Sequence, residues 1–312
     1  MRKEIKKFLK RRIGWYAIRG FIALNGVLPL CLSYFMGKIL GNIAYFLVRR
    51  HRKIALDSLS VAFPEKSLKD KKRIARSFFV FMAQGSFELL HLLKKPSELV
   101  YTRIQGKEYL DKALERKKGV VLLTAHLGNF PLMSLKLAKE GYPTNIVVRQ
   151  MRDTNANDYF HNLRVKAGVK TIFALPRREC INGIIKALRN NEIVIMLMDL
   201  NFGSGGVWVK FFNKLAATPV GPIILATRTD ASVVPAYIYR ESRKNHCIRI
   251  FPEEKLITAD NKDEATLLNA IKFTHIIEDW IRKYTWQWGW IHRRWKTRPS
   301  KKDKETPFKI EK

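Results

Sequence analysis

The chain is short of cysteine, short of acid and without a serine-nucleophile motif, and each shortage closes off a chemistry. Three cysteines occur in 312 residues. Cys31, Cys180 and Cys247 are too far apart in sequence to suggest a disulfide framework or a metal site, and they are expected to be small buried hydrophobes in a reducing compartment. No G-x-S-x-G elbow is present, so acyl chemistry through a serine nucleophile is not indicated. Zinc-finger spacing and aromatic RNA-binding signatures are absent too, which leaves little to place the chain on nucleic acid. No cofactor or metal is expected. Acidic residues number 27 against 59 Lys and Arg, a net charge of +32. An excess of that size implies an anionic neighbour: either an acidic protein or a membrane face, where each Lys or Arg near anionic lipid contributes about 1 kcal/mol.

The basic excess begins at once, with Lys3, Lys6, Lys7, Lys10, Arg11 and Arg12 in residues 2–12. From Gly20 to Gly37 no charge occurs, a length at the lower edge of what crosses a bilayer, interrupted by Asn25 and Pro29. No clear small-residue cleavage site follows, so the segment is expected to be retained. Arg49, Arg50, Arg52 and Lys53 put positive charge beyond the segment as well. The charge rule therefore demands no single crossing, and the expectation is a helix or helical pair partly embedded in one leaflet. A simple span is the runner-up, and a buried core helix is the third reading. Helical spacing continues from Ile54 to Leu93, with a break at Pro64, and is assigned to packing.

From about Tyr101 the pattern changes. Apolar runs at Val120 to Leu123, Asn145 to Val148, Val169 to Phe173, Ile193 to Met198, Val233 to Tyr239 and Cys247 to Phe251 read as strands. Helical stretches at Pro131 to Lys139, Thr154 to Ala167, Glu179 to Arg189 and Pro219 to Thr229 separate most of them. Alternation of this kind predicts a three-layer α/β domain. The chain is accordingly divided into a membrane-associated helical segment at 1–50, an α/β domain with a helical lead-in at 51–300, and a charged tail at 301–312. The block WQWGWIHRRWKTRP from Trp286 mixes indoles with cations and is read as lying at a lipid interface.

The stretch VVLLTAHLGNFP, Val120 to Pro131, runs from an apolar strand into a histidine, a Gly-Asn turn and a helix-opening proline. That places His126 at the carboxyl edge of the sheet, where open α/β folds keep their chemistry, as a candidate general base. Gly128 and Asn129 would offer backbone N–H groups to an anion or oxyanion at the helix start. Asp199 ends the apolar run Ile193 to Met198, so it should emerge at the same edge and could partner His126. Glu140, some two turns along the following helix, is a poorer choice.

Four blocks then carry a resemblance: RHRKIALDSLSVAFP from Arg50, TAHLGNF from Thr124, GGVWVKFFNKLAATPVGP from Gly205, and the tryptophan block. In this order the chain resembles the bacterial lipid A biosynthesis acyltransferases, of lauroyl or myristoyl transferase type, in the lysophospholipid acyltransferase superfamily. The family motif asks for Asp or Glu where this chain has Pro131. The resemblance implies a membrane enzyme on the cytoplasmic face of the inner membrane. It would move an acyl chain from acyl carrier protein, or acyl-CoA, to a hydroxyl of a lipid A precursor or related glycolipid. Acylation of a lysophospholipid or aminolipid is the alternative, and a catalytically silent lipid-binding relative is another, because of Pro131. It also implies that Arg149, followed by Arg152, holds a lipid phosphate, and that Gly205 and Gly206 belong to a loop closing over the acyl donor.

Overall fold

Strands buried on both faces can satisfy their backbone only sideways, and the apolar runs described above do so in one sheet. The computed structural model describes residues 12–16, 19–23, 25–26 and 28–299. Most of the basic run at 2–12 and the tail at 301–312 lie outside them. The sheet has seven strands, in the order β1 (Thr102–Gln105), β9 (His246–Ile250), β8 (Ser232–Arg240), β2 (Val120–Thr124), β5 (Ile193–Leu197), β3 (Thr144–Val148) and β4 (Lys170–Phe173). Every neighbouring pair is parallel except β8 with β9. Outside the sheet stands an antiparallel hairpin of β6 (Val207–Phe211) and β7 (Lys214–Thr218).

Alternate residues of β2 divide the core. Val121 and Leu123 join a cluster with α7 (Arg177–Arg189), α8 (Gly221–Thr229) and α9 (Lys262–Lys283). Val120 and Leu122 face α4 (Lys107–Glu115) and α5 (Phe130–Lys139). Helices on both faces of a largely parallel sheet make the three layers expected from the alternation. Each fully buried Leu or Val contributes roughly 1.5–3 kcal/mol, so β2, with no exposed residue, anchors the layer that carries the site. On the sheet edge, α6 (Thr154–Lys166) links β3 to β4.

Several elements were not foreseen. β1 and α4 are short, and β7 reads as Lys-Leu-Ala-Ala-Thr, with a strand former only at its last position. The helix expected from Pro219 begins two residues later: Thr218 is the last residue of β7, and α8 begins at Gly221 with Val220 as its N-cap. Cys180 and Cys247 are buried as expected, but Cys31 is exposed.

The apolar N-terminal helix is displaced from the charge-free segment. Pro29 serves as N-cap, and α1 runs Leu30–Leu47, 18 residues with a mean hydropathy of 1.4. It is long and apolar enough to cross a membrane. One face, through Gly37 and Gly41, presses on α3 (Leu68–Lys94). A β-carbon at Gly41 would stand 2.5 Å from the Val80 Cα, so only glycine permits this approach. The other face exposes Phe35, Ile39, Ile43, Phe46 and Leu47. α1 is therefore not the core helix of the third reading. Between them, α2 (Arg49–Ala62) buries Ala55, Leu59 and Ala62 and stops before Phe63 and Pro64.

Candidate functional site

His126 and Asp199 arrive together because β2 and β5 are parallel and in register. Val120 lies beside Ile193, and Thr124 beside Leu197. Two residues beyond the last pair on each strand stand His126 and Asp199. Their side chains meet, with His126 Nδ1 2.8 Å from Asp199 Oδ1. The backbone N–H of His126 donates to the other carboxylate oxygen, also at 2.8 Å. Asp199 is 1% exposed, whereas the His126 side chain keeps 19% of its surface. Burial on its own would push the Asp199 carboxyl up. The charge of the His126 imidazole, the hydrogen bonds from that ring, from Trp288 and from the His126 backbone outweigh it and hold the carboxyl at about 2. An ionised carboxylate only accepts, so Nδ1 carries a proton, and whenever the ring is neutral the lone pair is on Nε2. Among the described residues nothing hydrogen-bonds to that Nε2.

The third side of the site comes from the far end of the chain. Trp288 Nε1 donates to Asp199 Oδ2 at 2.7 Å. Its backbone runs antiparallel to the histidine segment, pairing with Leu127, while Gly128 N–H donates to the Gln287 carbonyl at 3.0 Å and Gly289 N–H to the His126 carbonyl at 3.2 Å. His292, on the same segment, brings its ring to 5.0 Å from that of His126. Burial, then the neighbouring His126 charge, pull the His292 pKa down, against a smaller upward pull from Asp199. Phe130 closes another side at 4.9 Å.

This arrangement corrects two expectations. The Gly128 N–H is engaged by Gln287 and does not face an open site. What Gly128 supplies is conformation: its φ is +65°, and a β-carbon would fall 2.0 Å from the Ile238 carbonyl oxygen. The tryptophan block does not form a lipid-facing belt either. Trp288, Trp290 and Trp295 are buried, and only Trp286 is exposed, at 38%. Composition could not separate these cases, since an indole with a partner for its N–H suits a core as well as an interface.

Asn129 is the N-cap of α5, but its side chain does not cap the helix. Nδ2 instead donates to the Gly85 carbonyl at 3.1 Å and to Glu88 Oε2 at 2.9 Å. Glu88, 1% exposed, also accepts from Arg240 Nη2 at 2.9 Å, lies 2.8 Å from His246 Nε2 and bonds the Tyr34 hydroxyl of α1. Burial raises the Glu88 carboxyl, but His246, Arg240 and Tyr34 bring the net displacement down. Sequence reasoning missed Glu88, Trp288 and His292. A glutamate beside Phe87, Leu89 and Leu90, in a mostly apolar turn of α3, was the signal available for the first.

The remaining expected residues lie further off. Arg149 and Arg152 are exposed beyond the end of β3, two strands from β2 and so roughly 10 Å to the side. Gly205 is exposed in a short turn, and Gly206 enters the β6–β7 hairpin, where a β-carbon would meet the Thr218 carbonyl at 2.4 Å. Glu140 pairs with Lys136. Pro131 occupies the first turn of α5. A cavity of about 1020 Å³ opens at the opposite edge of the sheet, near Arg116 and Asp230, and is lined by none of these groups.

The family described as bacterial lipid A biosynthesis acyltransferase matches residues 1–297. A lipid A biosynthesis lauroyltransferase of Escherichia coli is 26% identical over 91% of this chain and 92% of its own. A palmitoleoyltransferase of the same pathway and organism is 24% identical over 95% and 96%. A phosphatidylinositol mannoside acyltransferase of Mycobacterium tuberculosis is 28% identical over 45% of each chain. Among solved structures, the 1-acyl-sn-glycerophosphate acyltransferase PlsC of Thermotoga maritima covers 82% of this chain and 99% of its own, at 12% identity and a TM-score of 0.39. With the match running from the first residue through the tryptophan segment that closes the site, the chain belongs to the bacterial lipid A biosynthesis acyltransferases.

Proposed function

We propose that the protein transfers a fatty acyl chain from a thioester, on acyl carrier protein or coenzyme A, to a hydroxyl of a lipid A precursor or related glycolipid. His126 Nε2 takes the hydroxyl proton as the oxygen attacks the thioester carbonyl. A carbon–oxygen bond forms, the carbon–sulfur bond breaks, and the proton leaves with the thiolate. Asp199 holds the imidazole with Nδ1–H inward and stabilises the imidazolium, as the acid of a triad does. The observation that carries the reading is the 2.8 Å contact between His126 and a fully buried, ionised carboxylate. It offsets Pro131, since β5 delivers the acid that the motif position lacks, and this disfavours the silent relative.

Of the first three residues of α5 only Phe130 keeps an N–H for the oxyanion, since Pro131 has none and that of Leu132 donates to the Asn129 carbonyl at 2.8 Å. Arg149 and Arg152 serve the lipid phosphate from the side, and Gly205 and Gly206 the loop over the donor. The outward face of α1 enters the cytoplasmic leaflet of the inner membrane, which its exposed Phe35, Ile39, Ile43 and Phe46 support. Purified protein with acyl carrier or coenzyme A thioesters and a panel of glycolipid and lysophospholipid acceptors is the test. Turnover on a lipid A precursor, lost in His126→Ala, is expected; turnover on lysophospholipid alone would replace the acceptor, and lipid binding without turnover would defeat the enzyme reading.

A further inference from the structure

A second feature lies outside the dyad. Between α2, the β6–β7 hairpin and the C-terminal segment runs a groove of about 380 Å³. Arg50, Lys53, Lys214, Arg293, Lys296 and Arg298 line it, against a single carboxylate, Asp57. None of the six cations has an ion-pair partner among the described residues, although Arg103, Arg116 and Lys170 elsewhere do. Like charges crowded without counter-charge repel one another, so the arrangement costs stability unless an anion sits among them.

A buried group reinforces this. Arg294 also lines the groove and is 0% exposed. It donates to the Leu200 and Ala217 carbonyls and to Thr218 Oγ1, yet its Nε–H has no partner. No carboxylate lies within ion-pair distance of it among the described residues. A buried guanidinium with an unused donor in a cationic groove is half of a phosphate site.

The groove's place in the fold selects the occupant. Arg50 follows Leu47 of the outward apolar helix by three residues, within about 11 Å. Arg293 directly follows His292, whose ring is 5.0 Å from that of His126. One wall is thus tied to the lipid-facing helix and the other to the reaction centre. We propose that this groove holds the phosphate of an anionic membrane lipid. Where that lipid is the acyl acceptor, the assignment rests on the acyl-transfer reading.

The test compares the full-length protein with a groove variant, Arg50→Gln, Lys53→Gln, Lys296→Gln and Arg298→Gln, all exposed positions. A control variant, Lys112→Gln, Lys166→Gln, Lys186→Gln and Arg189→Gln, removes the same charge elsewhere. Binding is measured by sedimentation with phosphatidylcholine vesicles containing phosphatidic acid, with inorganic pyrophosphate as competitor. The groove variant should lose at least about tenfold more affinity than the control, and pyrophosphate should weaken only the binding of proteins with the groove intact. Equal losses in both variants would reduce the groove to general charge. Pyrophosphate binding at the groove with vesicle binding unaffected would assign it to free phosphate, and loss of binding to an acidic carrier protein alone would assign it to protein docking; either overturns the lipid assignment. Acyl transfer assayed on the same samples separates the two readings. Groove-dependent vesicle binding without turnover sinks only the enzyme, whereas turnover with groove-independent binding sinks only the groove.

Discussion

Among the described residues two histidines lie 2.8 Å from a buried carboxylate, His126 from Asp199 and His246 from Glu88. They differ in what else the partners touch. His246 is 1% exposed, and Glu88 is saturated by Tyr34, Asn129, Arg240 and His246, residues from α1, the histidine turn, β8 and β9. His126 keeps a free Nε2 and 19% of its surface. A carboxylate–imidazole contact is therefore no signature of catalysis in itself. In the proposed reaction the working pair is the one whose histidine still has an unspent nitrogen at the carboxyl edge of the sheet, and the other is a clamp that ties four elements to α3.

Substitutions can break that distinction, and the largest effect falls on the open pair. His126→Ala should lower turnover of the folded protein by about 10² to 10⁴, with a smaller loss of stability than at the closed pair, because the residue 126 backbone N–H and Trp288 still donate to Asp199. A variant retaining most of its turnover would leave His126 without a role. The closed pair should respond the opposite way. Glu88→Ala strips the partner from buried Arg240 and His246 and should cost roughly 3–5 kcal/mol in denaturant unfolding, while the folded fraction keeps a normal pH profile. If stability held and the profile moved, the clamp would be part of the chemistry.

Smaller changes sharpen the comparison. Trp288→Phe removes one charge-assisted bond from Asp199 and should reduce turnover about tenfold, with the shape of the core kept. The smallest effect is in acid. The Asp199 carboxyl falls from an ordinary 3.8 to about 2 on folding. A carboxyl depressed in the folded state binds fewer protons there than when unfolded, so its stabilisation is complete above about pH 4 and disappears as pH falls towards 2. The stability gap between the protein and Asp199→Asn, followed by urea unfolding, should close over that window and stay open near neutrality.

What could be read in the sequence was whatever local pattern determines. β2 and β5 are continuous apolar runs, so their ends, and with them His126 and Asp199, could be placed at one edge before any coordinates. Direction and register of pairing did the rest. The Trp288 donor and the withdrawal of the Gly128 amide depend on the C-terminal segment crossing the histidine turn, and the Glu88 clamp on partners 41 to 158 residues away, contacts that no periodicity encodes. The indoles were misplaced for the same reason: their surroundings, not their chemistry, decide whether they face lipid or core. α1 was displaced because Pro29 ends one apolar stretch and opens the next.

The crossing of residues 287–289 over residues 126–128 also sets an order of events in synthesis. Helix α1 and the sheet strands leave the ribosome before the indole that seats Asp199, which lies 89 residues after that aspartate. A nascent chain caught on the membrane before that point would hold an incompletely fixed imidazole. Under the proposed mechanism the chain would stay inert until residues 287–289 have been made and have crossed the histidine turn.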